Sequence, residues 1–243
     1  MTNEFGYSVR VKNGAEWRRF ARVRLMISVG QPYHEGEKLR AVVDWINRNP
    51  AIRDVQVSVN DLLQRHNHIA AGMDKQRASA VAALEGTAWI ERNEAILADL
   101  HAPHSFTRWD DWLARPEFEP TREAIVGFAK TDAGFSAALE ADAHALSERK
   151  RKRGEDTAGF DRLVEHSRAY VIEELAVFAI QAKSTPAAEV YPGSNLASSQ
   201  YLVGKKLPEL IAPLAERYFT RVDFARISLQ PTHTPRYAHP GMK

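Results

Sequence analysis

Residues 23–61 read VRLMISVGQPYHEGEKLRAVVDWINRNPAIRDVQVSVND, and the fold turns on them. The run LMISV is apolar apart from Ser28 and is closed by Gly30 and Pro32. Such a run predicts a buried strand, over 23–29, that ends in a loop. Leu39, Val42, Val43 and Ile46 recur at the spacing of an amphipathic helix, predicted over 34–49. Val55, Val57 and Val59 alternate strictly, which predicts a strand over 54–61. Strand, helix and strand within about 35 residues form a βαβ unit and hence a parallel sheet.

Ser28 has two readings. Serine and glycine are ordinary strand terminators. Alternatively, Ser28 is a nucleophile at the carboxyl end of a parallel sheet, where open α/β folds put their ligands. The surrounding residues alone favour the first.

Working outward, a long helix is predicted over 69–100. The segment from His104 begins extended and turns helical after Pro120. Helix then continues to Lys152 with a break near 132–134, and a second helix covers 159–182. Residues 184–195 form a loop with a short strand in its middle. A late helix is expected over LPELIAPLAERYF (207–219) and a last strand over 224–231. With no repeat and no linker, the chain reads as one domain, 1–243, with its core at about 22–230. The N-terminal segment and residues 232–243 are expected to be flexible.

The chain has 243 residues, 44% of them apolar, enough for a real core. It has no cysteine, which removes disulfide, thiolate and cysteine–zinc chemistry. No leader-like apolar stretch occupies MTNEFGYSVRVKNG, and no apolar run approaches the roughly 18 residues that span a bilayer, so a cytoplasmic location without membrane contact is expected. The net charge is only +2, but basic residues cluster in RRFARVR (18–24) and RKRKR (149–153). Such patches can hold a polyanion, although charge runs are most often solvated loops.

Nucleotide-binding signatures are missing: there is no G-x-G-x-x-G, no Walker loop and no G-x-S-x-G elbow. RHNH (65–68) and HAPH (101–104) suggest metal, but neither has an acidic or third histidine partner at useful spacing, so no metal is expected. SRAYVIEELAVFAI (167–180) is more informative. Tyr170 and Glu174 lie four apart and share a helix face, amid Val171, Ile172, Leu175, Val177, Phe178 and Ile180. A carboxylate there has a shifted pKa and serves proton transfer, or it is a half-exposed edge residue like Glu173 beside it.

Taken together, these stretches resemble the tRNA-dependent cyclodipeptide synthases. Three motifs occur in that family's order: a strand ending in serine (ISVGQPY), Tyr-x-x-x-Glu on an apolar helix (YVIEE), and a later tyrosine in a loop (VYPGSN). TRWDDWLARPEF resembles the family's strand-then-helix segment. The resemblance spans roughly 22–230. It implies a single Rossmann-like α/β domain, a mostly parallel sheet flanked by helices, akin to the catalytic domain of class I tyrosyl- and tryptophanyl-tRNA synthetases without their ATP signatures. Gln31, Tyr191 and Pro192 occupy the three positions that separate the family's NYQ and XYP subgroups, and resemble XYP. The NYQ members hold tRNA with a strongly basic helix, and here the corresponding helix carries only Lys75, Arg77 and Arg92. Arg18, Arg19, Arg22, Lys205, Lys206 and the run Arg149, Lys150, Arg151, Lys152, Arg153 are further candidates for tRNA contact.

The activity so implied joins two aminoacyl-tRNAs into a diketopiperazine by ping-pong catalysis, with no cofactor, in a protein expected to be monomeric. Ser28 would carry the aminoacyl and then the dipeptidyl group. Tyr170 and Glu174 would hold the α-ammonium, Glu174 would take its proton, and Tyr191 would relay protons during cyclisation. Gly30 and the loop amides would stabilise the oxyanion. The vicinal ribose hydroxyl is a candidate carrier of the serine proton. Strand alternation puts Arg24 and Met26 on the face of Ser28. Met26, with Trp109 and Val177, would then narrow the first aminoacyl pocket, which Gly30, Gln31 and Pro192 also border. Arg24 would favour an acidic partner or else pair with a protein carboxylate. Two rivals remain: a serine esterase or acyltransferase, and a non-catalytic RNA-binding module.

Overall fold

The computed structural model describes residues 5–12, 16–154 and 159–228. Six strands form one sheet: β1 (Phe5–Val11), β2 (Arg22–Ile27), β3 (Asp54–Val59), β4 (His104–Arg108), β5 (Ala188–Tyr191) and β6 (Tyr218–Ser228). Their order is β1-β6-β5-β2-β3-β4. Only β1 runs antiparallel, against β6, and the other pairings are parallel. This is the α/β architecture expected from the βαβ pattern, and the mostly parallel, Rossmann-like sheet that the resemblance implies.

β2 is central and covered on both faces, so its second half, residues 25–27, is a continuous apolar run rather than an alternating one. Val23, Leu25 and Ile27 point into a core shared with α1 (Gly36–Asn47) and Trp89. Met26 points to the opposite core, against α7 (Phe160–Ser184) and Trp109. That layer also holds α4 (Trp109–Leu113), α5 (Phe118–Thr131) and α6 (Ala133–Lys152). From β2 the chain winds one way through α1 to β3 and β4. It then crosses through the helical layer and returns on β2's other side as β5. The switch point of the sheet therefore lies between the carboxyl ends of β2 and β5, where open α/β folds leave a crevice.

Several expectations need correction. The helix predicted over 69–100 is two, α2 (Arg65–Ala70) and α3 (Lys75–Leu97). Gly72, at φ 97°, breaks them, and the Asp74 side chain restarts the chain by accepting from the Arg77 amide. The late helix over 207–219 is absent. Pro208 and Pro213 remove two donors, leaving a 3-10 turn at Ala212–Glu216, and Tyr218 and Phe219 open β6 instead. A short helix not foreseen, α8 (Ala197–Leu202), starts where Asp142 of α6 accepts from the amides of Ala197 and Ser198. The N-terminal segment was expected to be flexible, yet Phe5–Val11 forms β1. Residues 229–231 of the predicted last strand, and the 232–243 tail, lie outside the described residues.

Candidate active site

Ser28 is the first residue after β2 and is buried at the sheet's switch point. Tyr191 ends β5, the adjacent parallel strand. Their hydroxyl oxygens are 3.1 Å apart, and Tyr33 Oη lies 3.1 Å from Tyr191 Oη on its other side. Gly193 makes this position for Tyr191 available, because a Cβ at 193 would collide with the tyrosine ring. The turn after Ser28 is made by Gly30, at φ 82°, and by the Gln31 amide, which donates to the Ser28 carbonyl at 3.3 Å.

His34 fixes the serine from behind. The Ser28 amide donates to His34 Nδ1 at 2.9 Å, so Nδ1 carries no proton and the imidazole is the neutral Nε2–H tautomer. Burial drives the His34 pKa down to about 4, opposed by the bond to Ser28. The His34 carbonyl accepts from Trp89 Nε1 at 3.0 Å, tying the loop to α3. Neither Tyr33 nor His34 was singled out in the sequence. Their signal was present in QPYH directly after the serine strand, but only the tertiary placement of Tyr191 gives it meaning.

Tyr170 and Glu174 share one face of α7 and both border the site. Burial raises the Tyr170 pKa well above its usual value. Glu174 is half-buried and makes no hydrogen bond or ion pair among the described residues. Burial pushes its pKa up to about 8, partly offset by Arg217. Glu173 is a different residue from the half-exposed edge carboxylate considered above. It is 5% exposed and is held by Arg65, His66 and Trp109. Burial alone would raise its pKa, but His66 and Arg65 bring it down to about 2.

A cleft of about 390 Å³ opens over Ser28, lined by Gly30, Gln31, Tyr33, Tyr170 and Tyr191. Behind it lies a smaller cavity of about 80 Å³, whose walls include Met26, Tyr170, Glu174, Phe178 and Tyr191. Met26 thus stands where alternation put it. Arg24 does not. Its guanidinium is fully buried and bonds Gln56 Oε1 at 2.8 Å, Glu189 Oε1 at 3.1 Å and the Thr185 carbonyl at 2.7 Å. Arg217 shares Glu189 and stacks 3.8 Å from the Phe178 ring. Arg24 therefore pairs with a protein carboxylate, because β5 brings Glu189 opposite it in register. Trp109 also lines neither cavity: its indole donates to Glu173 at 2.8 Å. Val177 is buried in the helical layer, Pro192 follows Tyr191, and neither borders the two cavities.

The basic candidates separate by place. Arg149, Lys150 and Arg153, at the end of α6, line the cleft over Ser28. Lys150 is itself buried and donates to Asn67. Arg151 pairs with Glu148 at 2.9 Å, and Lys152 is exposed beside it. Arg18 stacks on Trp17, Arg19 on Phe20 and Tyr218, and Arg22 pairs with Asp54, all away from the cleft. Lys75 and Arg77 are exposed at the start of α3, and Arg92 pairs with Glu35. Lys205 sits 3.6 Å from the Tyr201 ring, with Lys206 exposed next to it. His66 and His68 bond Glu173 and Glu85, both at 3.1 Å. No helix among the described residues is long and apolar enough to cross a membrane.

The fold defined by this sheet and switch-point site is that of the cyclodipeptide synthases. A cyclodipeptide synthase from Fluoribacter dumoffii superposes with a TM-score of 0.79 at 23% identity, over 92% of this chain and 100% of that one. One from Candidatus Glomeribacter gigasporarum, solved bound to Phe-tRNAPhe, gives 0.62 at 17% identity, over 90% and 93%. A Mycobacterium tuberculosis protein whose structure relates cyclodipeptide synthetases to type I tRNA synthetases gives 0.57 at 16% identity, over 92% and 94%. No protein-family model and no curated protein sequence matches the chain.

Proposed function

We propose that this protein is a tRNA-dependent cyclodipeptide synthase of the XYP subgroup, with Gln31, Tyr191 and Pro192 at the subgroup positions. The observation that carries the reading is the placement of Ser28 against Tyr191, with the unpartnered Glu174 on the wall of the adjoining cavity. Ser28 Oγ attacks the first aminoacyl ester, the acyl–ribose bond breaks, and an aminoacyl-enzyme remains. Tyr170 and Glu174 receive its α-ammonium. The Glu174 carboxylate takes a proton from it, which frees the amine to attack the second aminoacyl ester; that acyl–ribose bond breaks, the second tRNA leaves, and a dipeptidyl-enzyme remains. The new terminal amine then attacks the Ser28 ester, closes the diketopiperazine and releases the serine. The Ser28 and Gln31 amides are already bonded within the loop, which leaves those of Val29 and Gly30 for the oxyanion. The ester bonds arrive activated, so the reaction needs no ATP, consistent with the missing phosphate-binding motifs.

Arg149 and Arg153 on the cleft rim are the tRNA contacts best placed for delivery of the ester to Ser28. The small cavity behind Met26 suits a small first aminoacyl side chain. A serine esterase is less well supported. His34, the nearby imidazole, spends Nδ1 on the Ser28 backbone, and among the described residues no histidine bonds the Oγ.

The deciding experiment incubates the protein with a full set of aminoacyl-tRNAs and analyses small products by mass. Cyclic dipeptides are expected from the wild type. Ser28→Ala should give none, and should lose the covalent adduct seen in the intact protein. Product retained by Ser28→Ala, or ester hydrolysis alone, would defeat the reading.

A further inference from the structure

We propose that Tyr33 is the cleft-side end of a three-hydroxyl relay that carries the Ser28 proton to the departing ribose oxygen. The inference rests on the reading of Ser28 as the nucleophile. It begins with a count of protons. Tyr191 Oη is 3.1 Å from Ser28 Oγ and 3.1 Å from Tyr33 Oη, and it has one proton. It therefore donates to one neighbour and accepts from the other, so the chain Ser28–Tyr191–Tyr33 has a direction that can be reversed. When Tyr191 donates to Ser28, the serine proton points into the cleft. When Ser28 donates to Tyr191, the Oγ lone pairs face the cleft and Tyr33 holds the outward proton. Tyr33 Oη has no other partner among the described residues, and its ring lines the cleft.

The second arrangement is the one that attacks. As the Oγ–acyl bond forms and the acyl–ribose bond breaks, three protons each move by one oxygen. Ser28 gives its proton to Tyr191, Tyr191 gives its own to Tyr33, and Tyr33 gives its own to the ribose oxygen. Each hydroxyl ends neutral, and the leaving group departs protonated. Burial raises the pKa of both Tyr33 and Tyr191, so an isolated tyrosinate is costly and concerted transfer is favoured. The edge-on packing of the Tyr33 ring against Tyr191, centroids 6.1 Å apart at 88°, holds the outer oxygen in place. His34 takes no part, since its Nδ1 faces the serine backbone.

The test compares wild type with Tyr33→Phe, following Ser28 adduct formation by rapid-quench intact-protein mass spectrometry. With aminoacyl-tRNA, Tyr33→Phe should slow adduct formation by about 100-fold, the scale of a lost proton-transfer group. With a p-nitrophenyl ester of the same amino acid the leaving group needs no proton, although Ser28 must still pass its own outward to solvent, so the slowing should be clearly smaller. Aminoacyl-tRNA with a 2′-deoxy terminal adenosine should still acylate the wild type. In mixed light and heavy water the wild type should show a curved, multi-proton dependence that Tyr33→Phe loses. Equal slowing on both esters would reduce Tyr33 to packing and overturn the relay. So would an unchanged rate, or loss of acylation with the 2′-deoxy substrate. A wild type that forms no Ser28 adduct from either ester overturns the parent reading, and the relay with it.

Discussion

Glu173 and Glu174 are neighbours on α7, yet the first is enclosed by a guanidinium, an imidazole and an indole while the second faces a cavity with no partner among the described residues. Arg65 Nη1, Trp109 Nε1 and His66 Nε2 lie 2.7, 2.8 and 3.1 Å from the Glu173 carboxylate. One helical step of about 100° separates the two roles.

Substitution should therefore split stability from activity. Glu173→Gln leaves the half-buried Arg65 without its anion and should cost up to about 3 kcal/mol in urea unfolding. Glu174→Gln should fold at least as well as wild type and lose nearly all cyclic product. Urea melts and product assays on the two variants check both halves.

The raised pKa of Glu174 fixes a pH dependence. The folded group holds its proton up to about 8, whereas the unfolded one releases it near 4.5. The native state then binds more protons between those values, so this residue lowers stability as pH rises through that window. The stability advantage of Glu174→Gln should widen from pH 4.5 to pH 8 and level off above. In the wild type, transfer of the Ser28 aminoacyl group to the second aminoacyl-tRNA should carry an ascending limb near pH 8.

His34 acts in the opposite direction. Its folded pKa of about 4 lies below the ordinary 6.5, so the unfolded chain binds the extra proton. Stability should fall as pH drops from 6.5 to 4, by about 3 kcal/mol from this residue. His34→Ala should remove that dependence. It should also slow Ser28 acylation, because the serine amide loses its acceptor. Thermal melts across pH, read against wild type, decide it.

Met26 walls the small cavity, so Met26→Gly should admit larger first residues. Forcing a bulky side chain past the methionine costs about 1–3 kcal/mol, roughly 5- to 150-fold in selectivity. Competition between alanyl- and leucyl-tRNA for the Ser28 adduct reads this ratio directly. A wild type that makes mainly products of two bulky apolar residues contradicts it.

The basic rim should make binding salt-sensitive. Replacing Arg149 and Arg153 by glutamine should weaken tRNA binding and flatten its dependence on ionic strength, through fewer released counterions. Replacing Arg18 and Arg19, which lie away from the cleft, should change it little. Filter binding at several salt concentrations separates the two pairs.

The parts of the fold legible in the sequence are those fixed by local pattern. The apolar run of β2, the helical spacing of α1 and the alternation of β3 each carry their own signal. Ser28, Tyr170, Glu174 and Tyr191 stood out through the motifs around them, and the structure brings them to two adjoining cavities. What escaped depends on partners distant in the chain. The sequence left Arg24 between an acidic substrate and a protein carboxylate, and only β5, which sets Glu189 beside it, decides for the second. Trp109 reads as pocket lining until Glu173 turns toward its indole. α8 has a start only because Asp142 reaches across from α6, and the late helix failed where two prolines outweighed its apolar spacing.

The antiparallel pair at the sheet's edge has a consequence for synthesis. β1 precedes every other described strand in the chain, but β6, the only described strand that hydrogen-bonds it, follows all of them. Throughout elongation β1 must remain an unsatisfied edge, with α1 its nearest cover. β2 and β3 can join early, while β5 and β6 complete the sheet only after the intervening helical layer has been made. The Ser28–Tyr191 pair is thus assembled late, and a chain halted before β5 carries the serine without its tyrosine.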